Sequence, residues 1–209
     1  MKLNLTVLAK SDKHNGYCVA ALDQRGRILR LVRDAEGHAL TEDQCRFKKL
    51  DHIIADVEPA PLKHQKENHV LTELVESKKS STSINDLGRF LQRPPLIFGN
   101  TMPWLSEEDM GKQKSTFLFV EVDDLRIYLN DEEKYKADFL YNGQAYEGFS
   151  ITDPAFKTKE QKSAKAAILV SLPNAPYNRY GHELYYKFIC AVYPIKNSKK
   201  SCELDFYKI

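Results

Sequence analysis

Arg25, Arg27, Arg30 and Arg33 fall on and around the aliphatic stretch Ile28-Leu29-Arg30-Leu31-Val32. A guanidinium can grip a phosphate with paired hydrogen bonds and can also lie flat on a planar ring, which a lysine does less well. A second set, Tyr177, Arg179, Tyr180, Tyr185, Tyr186 and Lys187, adds rings and charge near the end of the chain. Positive charge for phosphates with rings for bases is the combination that holds single strands. A simpler reading competes: strand arginines protect a sheet edge or pair with acids such as Asp23 and Asp34, and tyrosines favour strands whatever their function.

Other polar motifs have local explanations. Gln65 and Asn68 could read base edges, but such side chains more often fix a loop through its backbone. Thr152-Asp153-Pro154 could orient a ligand, yet an Asp before Pro more readily makes a turn and caps the segment after it. The triplet Glu107, Glu108 and Asp109 comes directly after Ser106, which is a good helix N-cap, and acids in a first turn suit the helix dipole. Cys45, His52, His64 and His69 lack zinc-site spacing, so no metal is expected. No phosphate-binding Gly-rich loop or nucleophile elbow occurs. His182-Glu183, Asp123-Asp124 and Glu132-Glu133 do not make the carboxylate or His/Cys set of a nuclease or deaminase. No catalytic residue and no cofactor is assigned.

Composition permits either binding surface. The chain has 209 residues, 42% hydrophobic, enough for real cores and against disorder. Its formal net charge of +2 announces no global affinity for polyanions, so any such site must be local. The first residues are too briefly apolar for a signal peptide, and no run could span a bilayer, so a soluble, cytoplasmic protein with no membrane partner is expected. Cys18, Cys45, Cys190 and Cys202 are scattered; Cys18 and Cys190 sit in strand-like runs and read as small buried hydrophobes rather than a disulfide framework.

The elements that must position these residues are mostly short strands. Gly16 to Leu22, the turn Asp23-Gln24-Arg25-Gly26 and Arg27 to Val32 form an antiparallel hairpin. In it Ile28, Arg30 and Val32 share one face and Arg27, Leu29, Leu31 and Arg33 the other; both faces are mixed, so one enters a core and the opposite one is partly covered by chain or ligand. Leu50 to Val57 is a strand, and Val70 to Val75 fits strand or short helix equally. Ile84 to Leu91 is spaced for about two helical turns and ends at Pro94-Pro95. Leu105 is placed to staple onto Met110. Thr116–Val122, Leu125–Leu129, Ala166–Leu172 and Leu184–Tyr193 read as strands, Asn142-Gly143 as a hairpin turn, and Lys159 to Ala166 as helix-like. Such a pattern suggests small barrels or sandwiches. A faint echo of Tyr17–Leu22 appears in Tyr186–Val192.

The hairpin Tyr17–Ala21 with Gly26–Val32, the loop His64-Gln65-Lys66-Glu67-Asn68, the segment Ser150–Phe156, and the pair Ile168–Leu172 with Tyr186–Val192 together resemble the bacterial dual OB-containing domain family, over most of the chain and in order. Two positions depart from the family pattern, with Leu29 where an aromatic is usual and Lys66 where a proline is. The resemblance implies a mainly β protein of two packed OB-like small β-barrels with short helices in the connector. The expected division is a first barrel over 1–95, a connector over 96–115 and a second barrel over 116–209. It also implies a nucleic-acid or nucleotide role; the charge and rings noted above then give the expected contacts with single-stranded DNA or RNA, or a nucleotide-like ligand, as Arg25, Arg27, Arg30, Arg33, Tyr177, Arg179, Tyr186 and Lys187. Gln65, Asn68, Thr152 and Asp153 are the candidate ligand-loop residues. The alternatives are a module that holds a protein partner and, below that, an enzyme acting on nucleic acid whose residues meet only in three dimensions.

Overall fold

The computed structural model describes residues 1–13, 16–179 and 181–195; Tyr180 and Cys202 lie outside them. The first barrel is built from β1 (Lys2–Lys13), β2 (Gly16–Asp23), β3 (Ile28–Val32), β4 (His52–Pro59) and β5 (Asn68–Lys78), closed in the order β1-β2-β3-β5-β4. Its β3 and β5 run parallel, and every other neighbouring pair is antiparallel. The connecting segment, which starts after β5 and so before the expected 96, carries α1 (Ile84–Leu87), two 3-10 turns, the short β6 (Trp104–Leu105) and α2 (Glu107–Gly111). The second barrel uses β7 (Phe117–Leu129), β8 (Tyr135–Tyr141), β9 (Gln144–Ile151), β10 (Gln161–Ser171) and, after β11 (Tyr177–Arg179) and β12 (His182–Tyr186), β13 (Phe188–Pro194). Closed as β7-β8-β9-β13-β10, with β9 and β13 parallel, it repeats the connectivity of the first. β6, β11 and β12 form a separate three-stranded sheet.

The continuous apolar runs have a common cause. Along β2, Val19 and Ala21 enter the first barrel's core while Ala20 and Leu22 face the other barrel. Along β10, Ala166, Ile168 and Val170 fill the second core while Ala167 and Leu169 face back. A strand buried on both faces loses its polar alternation and reads as an unbroken hydrophobic segment. Between the barrels, Leu8, Leu22, Phe117, Phe119, Leu169 and Tyr193 pack around Ala9, Ala20, Ala167 and Ala191. The alanines let the strands approach, and each large apolar side chain buried there contributes on the order of 2 kcal/mol.

The Arg25–Val32 stretch now has its explanation. Leu29 and Leu31 point into the barrel, and the opposite face, with Ile28 and Arg30, is covered by the second barrel. Its turn is closed by Gly26 at φ +83, a conformation most residues resist. The Asp23 carboxylate accepts from the backbone N–H groups of Arg25 and Arg27 and from Arg27 Nε. Asn142 and Gly143, both at positive φ, make the β8–β9 turn as expected. The Ser106 cap also holds, with its hydroxyl accepting from Asp109 N and both Leu105 and Met110 buried.

Some expectations are corrected. Lys159 to Ala166 is not helical; from Gln161 onward it pairs with β7, and sheet closure overrides local pattern. Thr116–Val122 and Leu125–Leu129 are one strand with a register shift between Asp123 and Arg126, where Asp124 has φ 49. Val70–Val75 lies within a strand, and Leu184–Tyr193 is two strands broken at Lys187. The Tyr17–Leu22 echo falls on the second strand of one barrel and on the fifth of the other, so the two segments are not equivalent. No helix among the described residues is long and apolar enough to cross a membrane.

Candidate nucleic-acid interface

The junction of the barrels is held by a polar wall around Arg30, a residue only 5% exposed. Arg30 Nη2 donates to Thr116 Oγ1 at 2.9 Å and to the Leu172 carbonyl at 3.3 Å, and Nη1 donates to Cys18 Sγ at 3.1 Å. The guanidinium lies 4.2 Å from the centre of the Phe117 ring and 3.7 Å from Glu67 Oε1. Glu67 in turn accepts from the Thr116 hydroxyl. Gln65 Nε2 donates to the same Leu172 carbonyl at 3.1 Å, and buried Asn68 packs beside it. These bonds tie the β4–β5 loop to the second barrel. Arg30, expected in an open groove, is instead a buried tie, because the face of β3 that carries it is covered.

Two further ties flank the wall. Lys49 Nζ donates to Asp153 Oδ2 at 2.7 Å across the barrels, over the Tyr193 ring. Asp153 also accepts from Ala155 N and Val192 N, capping the turn at Pro154–Phe156. On the other flank Glu107 meets Lys63 Nζ at 2.6 Å, His64 Nε2 at 3.5 Å and the Tyr185 hydroxyl. Burial and the neighbouring Glu107 carboxylate push the Tyr185 phenol up to about 12.

Clefts open on both sides of the β4–β5 loop. On one side a groove of about 400 Å³ is lined by Arg27, Lys66, His69, Gln92, Lys114 and Ser115. These cations come from three segments far apart in sequence: the β2–β3 hairpin, the β4–β5 loop and the approach to β7. Lys66 and Lys114 are exposed and form no salt bridge among the described residues, and Glu67, the one carboxylate lining the groove, is engaged by Thr116 and Arg30. On the other side a pocket of about 240 Å³ includes Cys18, Arg30, Gln65, Thr152 and Ser171 under Tyr177. It adjoins, through Gln65, Pro173 and Tyr177, a cleft of about 630 Å³ that includes Arg33 and His38. Both long fourth-to-fifth-strand connections, 60–67 and 172–187, thus meet at this junction. These are the connections that, with strands 2 and 3, form the ligand-binding side of OB barrels.

The remaining candidates are spread over several surfaces. Arg25 is exposed on the hairpin turn; Arg27 keeps 60% side-chain exposure while bonding Asp23, and Arg33 keeps 46% while donating through Nε to Asp34 at 3.1 Å. Tyr177 is 51% exposed, with its ring edge-on to Tyr186 at 6.0 Å and to Phe188 at 6.2 Å. Half-buried Tyr186 rests on Trp104, so it supports Tyr177 more than it presents its own face. Arg179 belongs to β11, and its side chain lies outside the described set. Thr152 lines the pocket and donates to the Ile189 carbonyl at 3.3 Å.

Lys187 is corrected outright: at 0% exposure it faces no groove. Its ammonium donates to Ile97 O and Asn100 O, each at 2.8 Å, and to Asn100 Oδ1 at 2.7 Å, pinning the connector to the barrel, and burial draws it down to about 7. A lysine between apolar neighbours in a strand looks exposed in sequence; only the packed connector turns it inward. Nothing in the sequence singles out Lys66, Lys114 or Ser171 as binders, since each is unremarkable in its local segment and becomes a site residue only through the junction. Asp34, Glu36 and His38 bring ligand atoms within 4.8 Å of one another, but Asp34 already accepts from His38 and Arg33. Despite the opposing effect of burial, those bonds hold its carboxyl down to about 2.

Comparison with known proteins agrees with this architecture. No curated protein matches the sequence. A solved structure of a murine DNA-binding protein bound with double-stranded DNA overlaps 93% of this chain and 100% of its own at 10% identity, with a TM-score of 0.34, a level at which neither fold nor function carries across. The model of the dual OB-containing domain family matches residues 3–192. With two barrels of identical connectivity already evident, the chain belongs to the dual OB-containing domain family.

Proposed function

We propose that this protein binds single-stranded nucleic acid, as a binding protein rather than an enzyme, along the junction of its two barrels. The observation that carries this reading is the convergence of Arg27, Lys66 and Lys114 on one groove, with the two lysines unpaired among the described residues. Cations without carboxylate partners attract a phosphate backbone and release its counterions on contact. Across the β4–β5 loop, exposed Tyr177 supplies a stacking surface and Arg33 a further charge. Lys66 lies on the loop between the two clefts, one residue from Gln65, so a strand crossing there touches both.

The test is a fluorescence-anisotropy titration of a labelled single-stranded oligonucleotide at low salt. The combined variant Arg27→Ala, Lys66→Ala, Lys114→Ala is expected to lose most of the affinity while keeping the wild-type unfolding transition. Equal affinity of variant and wild type, or no binding by the wild type with a partner protein retained instead, overturns the proposal.

A further inference from the structure

The pocket under Tyr177 differs in kind from the cationic groove. Its walls come from both barrels: Ser11, Cys18 and Arg30 from the first, Thr152, Ser171 and Phe188 from the second. The Ser11 and Thr152 hydroxyls already donate to the Cys18 and Ile189 carbonyls and keep lone pairs that accept from a ligand, while the Ser171 hydroxyl can donate or accept. Arg30 is held in place by its bonds to Thr116, Leu172 and Cys18, so the charge it adds at the pocket wall is fixed in position. The ring of Tyr177, half-exposed and buttressed edge-on by Phe188 and Tyr186, offers a flat apolar face at the mouth. Polar edge groups inside and an aromatic face at the entrance suit a flat, heteroatom-edged ring.

Size narrows the choice. The pocket is about 240 Å³, below the roughly 300–1,000 Å³ usual for whole small-molecule ligands. The cleft that continues from it, about 630 Å³, has room for a sugar and its phosphate, and its lining includes the Arg33 guanidinium, paired with Asp34, alongside Glu36 and His38. We propose that this pocket receives one unstacked nucleobase of the bound strand, with the attached sugar-phosphate in the adjoining cleft. The inference rests on the single-strand reading above and adds to it a specific seat for a base, made jointly by the two barrels.

Cys18 provides a direct reporter. It lines the pocket and is half-buried; Cys190 lines it too but is buried, as is Cys45 outside it, and peptide mass spectrometry reads each cysteine separately. Alkylation of Cys18 by iodoacetamide, with readout by peptide mass spectrometry, reports occupancy without relying on affinity. A single-stranded oligothymidylate at about ten times its Kd leaves roughly a tenth of the sites free and is expected to slow the reaction about tenfold. Thymidine 5′-monophosphate is expected to protect in the same way at higher concentration. Arg27→Ala, once saturated, is expected to keep the protection. Thr152→Phe, which fills the pocket, is expected to weaken oligothymidylate binding with an unchanged salt slope. Binding seen by anisotropy while Cys18 reacts at its free rate overturns the base seat and leaves the groove reading standing. Absence of oligothymidylate binding under every condition overturns both.

Discussion

Arg30, on the third strand of one barrel, donates to the carbonyl oxygen of Leu172, just past the fourth strand of the other, at 3.3 Å. Gln65 donates to that same oxygen at 3.1 Å. One acceptor in the second barrel therefore fixes both the strand and the loop of the first, and the clefts on either side inherit their shape from it.

Replacing Arg30 with Ala is expected to act on stability first. Removing one member of a buried charged set leaves Glu67 beside an empty space, with a cost of about 3 kcal/mol or more. Chemical denaturation should show that loss for Arg30→Ala and almost none for exposed Arg27→Ala. Equal midpoints for the two variants would contradict the role of Arg30 as a tie.

Salt dependence should separate phosphate contacts from the rest. Each of Arg27→Ala, Lys66→Ala and Lys114→Ala is expected to lower the slope of log K against log salt by about 0.7. Titrations at several ionic strengths measure this, and slopes that stay at the wild-type value place the phosphates elsewhere.

Tyr177 should contribute by its ring. Tyr177→Ala is expected to weaken oligonucleotide binding by about 1–3 kcal/mol, the range for one stacked base, while Tyr177→Phe keeps it. A large loss in the Phe variant would point to the hydroxyl instead.

Packing between the barrels should tolerate little added volume. Ala20→Leu inserts bulk where Ala20 meets the second barrel, and overpacking of this kind costs about 1–3 kcal/mol. Thermal melts of this variant beside Gln24→Ala, an exposed change, give the comparison.

Lys187 carries a pH dependence with a defined sign. Burial lowers the folded-state value to about 7 from 10.5, so between those pH values the unfolded chain holds a proton that the folded chain has released. Stability therefore rises with pH across that window and is flat below it, by a few kcal/mol in all. Lys187→Met should lose that slope, so the stability difference between wild type and variant, from denaturation curves taken from pH 6 to pH 10, is expected to grow with pH above about 7. A difference that does not change with pH would show that the ammonium is fully stabilised by its three oxygen acceptors.

Where local chemistry decides structure, the sequence is readable. The Asp23–Gly26 turn, the Asn142-Gly143 turn and the Ser106 cap need only their own residues and near neighbours, and each appears where expected. Gln161 to Ala166 shows the limit, since its helix-like character is overridden by pairing with β7. The break at Lys187 shows another: β12 leaves the barrel to join β6, a partner far away in the chain.

By itself the chain determined two β-rich halves around a short helical connector, because strand runs, turn residues and caps act over a few residues. The mixed faces of Arg27 to Val32 implied cover over the second face of that one strand. What only tertiary structure decided is which charges meet. Arg30 and Lys187 turned inward because a barrel and a connector pack over them, while Lys66 and Lys114, inconspicuous in their own segments, came to one groove. Burial and convergence depend on contacts between residues distant in sequence, and no local spacing records them.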